Sequence, residues 1–172
     1  MSRKAAILDA SVALATRVGL AGWTVEQVAK DAGCAKGLVL YHYRGKTDLL
    51  DSTAQRLLLD IQRQRVAALS AGASTSALAR LWWSLLEDIR SGRFAASVSL
   101  RAIGLPITAP VPIDELRTAV AAALEVAPES LADGMTIAAL LDGLALQLLA
   151  RRSEALVREA YDQLWVAMVV PG

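Results

Sequence analysis

The chain has 172 residues, of which 55% are hydrophobic and 20% charged, with a formal net charge of +1. This much apolar material can fill a sizeable core and excludes intrinsic disorder, and the near-neutral total argues against a generic polyanion coat. One cysteine and one histidine exclude a disulfide framework and any metal site needing several such ligands, so neither a metal nor a cofactor is expected.

Aromatic residues are scarce, so Ala, Leu and Val must build the interior, and Ala and Leu are strong helix formers. Residues 3–18 place Ile7, Leu8, Leu14, Ala15 and Val18 on one helical face, with Ser11 in the same stripe and Gly19 as terminator. Thr24 to Gln27 has the form of a capping box, with Thr24 as N-cap and Gln27 reaching back. The short helix it opens turns Val25, Val28 and Ala29 inward and ends near Gly33. A second short helix is predicted over 35–41, and two short helices joined by a few residues form the helix-turn-helix pattern. A longer helix is predicted from 46 or 47 to about 69, carrying Leu49, Leu50, Leu57, Leu58, Ile61 and Val66, with a loop at 70–74. Leu78, Leu81, Trp82, Leu85 and Ile89 mark the next helix, which stops near Gly92, and 93–103 forms another. Three prolines break the segment 104–112. Helices over 114–125, 129–151 and 153–169 close the chain. No strand alternation appears. The predicted fold is all-α with about nine helices: a three-helix helix-turn-helix head over 1–46 and a helical body over 47–172.

Asp9 and Arg17 interrupt the first apolar stretch too early for a secretory core. The most apolar later stretch, 135–150, is shorter than the roughly 20 residues a spanning helix needs. The expectation is a cytoplasmic protein with no membrane partner. Charge is unevenly spread. Residues 1–50 carry seven basic and four acidic side chains, net +3, against eleven and thirteen in the remainder, and all four lysines lie at or before Lys46. A basic N-terminal third suits a polyanion, although so few charges also fit chance scatter.

Thr24 opens the second helix, Val28-Ala29 is an apolar-Ala pair within it, and Ala32-Gly33 forms the turn. The third helix holds Gly37, Tyr41 and His42, and Tyr43, a short turn, Lys46 and the Leu49-Leu50 pair follow. In this order the residues resemble the DNA-binding domain of TetR-family transcriptional regulators, over roughly 5–50. Leu40 stands where the family commonly has a tyrosine, and Cys34 replaces a small β-branched residue of the turn and is read as a small buried apolar group. In a helix-turn-helix the second short helix lies in the major groove. Ala35, Lys36, Gly37 and Leu38 begin that helix: Lys36 reaches a guanine edge or a phosphate, Gly37 admits close backbone approach, and Leu38 meets a thymine methyl. Tyr41 and His42 donate to phosphate oxygens, as do Thr24 at its helix start and Lys46. Val39 and Tyr43 are core. Singly, each contact has a plainer reading: solvated lysines, a helix-end histidine, a packing tyrosine, a cap.

A head of +3 makes few phosphate contacts, so a homodimer on a palindromic double-stranded operator is expected. The resemblance implies that the two closing helices pair with their copies through Leu141, Leu144, Leu148, Leu156, Tyr161, Leu164, Trp165 and Met168, with Gly143 and Ala145 permitting close approach; otherwise both helices only cap the monomer core. It also implies a cavity for a small hydrophobic ligand among the central helices, lined by Trp82, Trp83, Leu86, Phe94, Arg101 and Gln147, with Ser84 and Glu87 as further polar candidates. Ordinary core packing is the alternative for each. The function expected is a DNA-binding repressor released by ligand, or else a regulator with a filled core and no inducer. No phosphate loop, carboxylate cluster or nucleophile set supports an enzyme, and a protein-binding adaptor stays open.

Overall fold

A computed structural model describes residues 2–104 and 113–169. Among these the fold is all-α. Its helices are α1 (Arg3–Val18), α2 (Val25–Asp31), α3 (Lys36–His42), α4 (Lys46–Ser70), α5 (Ala77–Arg90), α6 (Arg93–Ala102), α7 (Ile113–Leu124), α8 (Gly134–Leu149) and α9 (Glu154–Val169). Single 3-10 turns lie at Ser74–Ser76 and Pro128–Ser130. The segment 105–112, with the three prolines, lies outside the described residues. No described helix is long and apolar enough to cross a membrane.

One predicted boundary moves. The helix expected from residue 129 starts at Gly134 instead, because the Asp133 carboxylate caps it. Asp133 accepts from the Thr136 N–H at 3.0 Å and the Thr136 hydroxyl at 2.8 Å, which satisfies donors that no helical turn precedes. These bonds hold the Asp133 carboxyl below its usual range.

The chain divides into two compact units. One takes the chain up to Asp60 and resumes at Ser91; the other takes Ile61–Arg90 and everything from α7 onward. The first unit therefore holds α1 to α3, the first part of α4, and α6. Its core includes Ile7, Leu14, Trp23, Val28, Val39, Tyr43, Leu49 and Leu57, with Ala96 and Leu100 from α6. Val18, expected inward, is exposed at the end of α1, and Cys34 is half-buried against this core.

A buried polar chain runs through this core. The Trp23 indole N–H donates to Ser11 Oγ at 3.1 Å, Ser11 and Thr53 hydroxyls lie 2.6 Å apart, and Thr53 donates to the Leu49 carbonyl at 2.7 Å. A carbonyl only accepts, so the single Thr53 hydrogen goes to Leu49 and Ser11 must donate to Thr53. The chain thus has one direction, from Trp23 through α1 to α4. Tyr43 adds a second tie, donating to the Lys4 carbonyl at 3.1 Å; burial pushes its phenol upward. At the start of α6, Gly92 has φ +77, and a Cβ there would stand 2.5 Å from the Thr16 carbonyl oxygen.

The second unit is built on Leu81, Trp82, Leu85, Leu116, Val120, Ile137, Leu141, Tyr161 and Trp165. The Tyr161 ring lies 5.3 Å from Trp82 and 5.4 Å from Trp165. Its hydroxyl donates to the Leu78 carbonyl at 2.6 Å, and burial drives its phenol well above the ordinary range. Arg80 closes the end of α4, donating to the carbonyls of Ala68 at 2.8 Å and Ala73 at 3.1 Å. Arg65, fully buried on α4, is ion-paired with Asp142 of α8 at 2.8 Å.

Ser11→Ala strands the Trp23 N–H and is expected to cost about 1–3 kcal/mol. Gly92→Ala is expected to cost as much or more, because it adds a backbone clash to left-handed strain. Gly19→Ala, at φ +66 but with nothing within 4 Å of its Cβ, carries the strain alone and should cost less. Urea unfolding midpoints of the three variants check the order.

Candidate nucleic-acid interface

Thr24 has extended backbone and accepts the Gln27 N–H at 3.1 Å, so it starts α2 as a cap. The reciprocal half of the expected capping box does not form. The Gln27 amide instead donates to Asp31 at 2.7 Å, where Arg17 also donates at 2.7 Å. These two bonds, Arg17 first, hold the Asp31 carboxyl below its usual value. The turn into α3 is set by Gly33 at φ +62 and by the Cys34 N–H on the Ala29 carbonyl at 2.9 Å. Left-handed backbone of this kind suits glycine.

On α3 the sequence alternates inward and outward functions. Val39 is fully buried and Tyr43 closes the helix inside the core. Ala35, Lys36, Gly37 and Leu40 are exposed, Leu38 and His42 half-buried. Tyr41 is 82% exposed and meets His42 edge-on at 5.3 Å between ring centroids. A Cβ on Gly37 would meet nothing within 4 Å. Nothing within its own unit requires glycine there, which leaves room for an external backbone or base edge.

Thr24, Val25, Glu26, Lys36, Leu40 and Lys46 line one surface hollow of about 410 Å³. Of the sequence-predicted residues it gathers Thr24, Lys36 and Lys46; Tyr41 and His42 stand at the other end of α3. The Lys46 ammonium sits 6.0 Å from the Trp23 ring centroid, and Lys36 pairs with Glu26. That bond is the main reason the Glu26 carboxyl lies below its ordinary value. Sequence reasoning missed Glu26 as part of this surface. Its signal was available, since an acid two residues after the α2 cap faces the first residue of α3 once the turn is tight.

Residues 7–53 match the family model described as bacterial regulatory proteins, tetR family. The HTH-type transcriptional regulator BetI 2 of Chromohalobacter salexigens is 34% identical over 59 residues, 34% of this chain and 28% of that protein. BetI of Yersinia pestis is 31% identical over 71 residues, 40% of this chain and 36% of that protein. Over this domain the chain is similar to tetR-family regulatory proteins. The match spans about a third of the length of these curated relatives. Over the whole chain, a transcriptional regulator from Rhodococcus sp. Rha1 superposes with TM-score 0.65 at 26% identity, covering 99% of this chain and 100% of that one. The multidrug binding protein EbrR, complexed with ethidium, superposes with TM-score 0.64 at 24% identity over 95% and 98%, a likeness of fold.

In the body, the residues read from the sequence are sorted differently from expectation. Leu141, Tyr161 and Trp165, expected at a dimer face, are buried in the core of the second unit. On α8, Ile137, Leu141 and Ala145 take the inward stripe, so the helical period turns Leu140, Gly143 and Gln147 outward and leaves Leu144 half-buried at the edge of the core. Leu148 and Met168 are half-buried against the same core. Leu144 and Leu164 do line an outer groove of about 520 Å³ between α8 and α9, together with Leu140, Gly143 and Ala160, and Leu156 is 64% exposed. The candidate cavity residues are divided between the two units. Trp83 is 58% exposed beside Arg90, and Gln147 is exposed on the α8–α9 groove. Trp82 and Leu86 pack in the core of the second unit, whereas Phe94 and Arg101 belong to the first.

Against a phosphate backbone, Glu26→Gln removes a repelling charge and releases Lys36. Affinity for duplex DNA of any sequence should rise, with the slope of log K against log salt steepening by about one charge's worth. Fluorescence anisotropy across a salt series measures both.

Proposed function

We propose that this chain is a sequence-specific DNA-binding transcriptional regulator, acting as a homodimer and released from its operator by a small hydrophobic ligand. The observation that carries the DNA-binding part is the outward row on α2, α3 and the start of α4: a capped Thr24 hydroxyl, Lys36, an unencumbered Gly37, an exposed Tyr41 and Lys46, within a tetR-type domain. Residues 1–46 form the DNA-binding head in this reading, and 47–172 the ligand-binding and dimerisation body.

Lys36 and Leu38, with Leu40 beside them, meet base edges in the major groove. Thr24, Tyr41, His42 and Lys46 meet phosphates and set the register without reading sequence. Few of these contacts come from lysines, the others being a phenol, an imidazole and a hydroxyl, so one head binds weakly. Two heads held by one dimer raise the effective concentration of the second on its half-site. The outer groove of α8 and α9 supports the dimer: its small residues Gly143 and Ala160 allow helices to approach, and Leu140, Leu144 and Leu164 supply the apolar area. A ligand would then release DNA only to the extent that it binds the released state more tightly.

The packing of Trp82 and Leu86 favours a second reading, a regulator with a filled core and no inducer. It predicts no thermal shift with small apolar compounds.

An unbiased selection of bound duplexes tests the main reading; failure to enrich any sequence at low salt overturns it. Lys46→Ala should weaken binding to selected and random duplexes alike and lower the salt slope by about one, whereas Lys36→Ala should shift the selected sequence. Ala160→Glu places an unpaired charge in the α8–α9 groove and should yield a folded monomer in sedimentation, with DNA affinity reduced at least tenfold.

A further inference from the structure

Glu26 stands in the first turn of α2 and Lys36 opens α3, and the Lys36 ammonium donates to Glu26 Oε1 across the two helices. Both side chains stay more than half exposed, at 63% and 53%, and an ion pair this open contributes little to stability. An ammonium has three donors and a carboxylate about four lone-pair positions, so one bond between them leaves each with capacity for a further partner. Val25 and Leu40 line the same hollow as the pair. They supply apolar walls that shed water once a duplex covers the surface, and hydrogen bonds strengthen as water leaves.

A carboxylate on a surface that meets DNA is repelled by every phosphate. What the major groove offers it is an amine, either cytosine N4 or adenine N6. In a G·C pair guanine O6 and cytosine N4 are bonded to each other, about 2.9 Å apart. A bonded ammonium and carboxylate stand ~2.8 Å apart. The two edges are complementary: the ammonium donates to guanine O6 and N7 while the carboxylate accepts from cytosine N4. Adenine also sets an acceptor beside a donor, N7 beside N6, but it gives the ammonium one acceptor where guanine gives two. Turning the pair round to C·G sets the amine against the ammonium and O6 against the carboxylate, which rejects that orientation.

We infer that Glu26 and Lys36 together read one G·C pair in each half-site, with guanine on the Lys36 side and cytosine on the Glu26 side; this rests on the DNA-binding reading above. The carboxylate turns a lysine contact with one base into recognition of a base pair and its orientation.

The full-length protein is first used to select its operator. Anisotropy then measures binding of wild type, E26A, K36M and the double variant to operators carrying each of the four base pairs at each position of one half-site. Wild type is expected to favour G·C at one position by about tenfold over C·G, A·T and T·A. E26A and K36M should each lose that preference at that same position, and the double variant should lose no more than either alone, as two members of one contact do. Guanine placed there opposite a pyrimidin-2-one nucleoside, which lacks the 4-amino group, should cost wild type about tenfold and E26A nothing. Affinity of E26A for random duplexes should rise at the same time, which separates lost reading from general weakening. The inference is overturned if E26A keeps the G·C preference, if the two single variants alter different positions, or if the shared position prefers A·T. A selection that enriches no sequence overturns the DNA-binding reading itself, and this inference with it.

Discussion

The reading surface depends on the directed hydrogen-bond chain from Trp23 through Ser11 and Thr53 to the Leu49 carbonyl. Trp23 immediately precedes the Thr24 cap, so fixing the indole fixes where α2 begins. The register of α2 then sets the turn and α3 with it. The chain also joins α1 to the first turns of α4, where Lys46 starts the helix and stands over the same indole. A purely apolar core of this size would tolerate small rotations of short helices, since apolar contacts have little direction. A buried hydroxyl chain does not, because any slip leaves a donor unmet in a dry interior. Seven-residue helices such as α2 and α3 are too short to be stable alone; their geometry is borrowed from this frame.

The electrostatics of the head limit what it can do singly. Among its few cations, Arg17 is tied to Asp31 and Lys36 to Glu26, and Lys4 lies over the Tyr43 ring. Pairs this exposed contribute little to stability. They do change how the surface meets a polyanion, because a paired lysine must leave its partner or bring the carboxylate along. Under the proposed function, a head built in this way discriminates more than it attracts, and attraction comes from having two of them.

Much of the first unit was legible in the sequence, and the reason is local. The Thr24 cap, the Gly33 turn and the inward Val25, Val28, Ala29 and Val39 are set by contacts within a few residues, so spacing carries them. Ser11 lay visibly within an apolar stripe, but its partners are 12 and 42 residues away and no periodicity announces them. The same holds for Arg65, which reads as an ordinary surface position of a long helix until Asp142 is brought to it. The body was less legible for a different reason. α8 is apolar nearly all round, so its composition does not say which side meets its own core. Leu141 and Leu144 are equivalent as letters; only the placement of Ile137 and Ala145 shows that Leu141 faces in. Trp165 and Tyr161 went the same way, the resemblance implying an interface and their position serving the core.

That ambiguity bears on how the body works. A helix apolar nearly all round needs covering on more than one side, and its own unit covers most fully the stripe through Ile137, Leu141 and Ala145. Asp142 lies next to that stripe, and it is the residue that meets Arg65. α8 therefore carries, within two turns, a stripe for its own core, an acid committed to α4, and an outer groove of small residues shared with α9. Whatever shifts α8 shifts one wall of that groove.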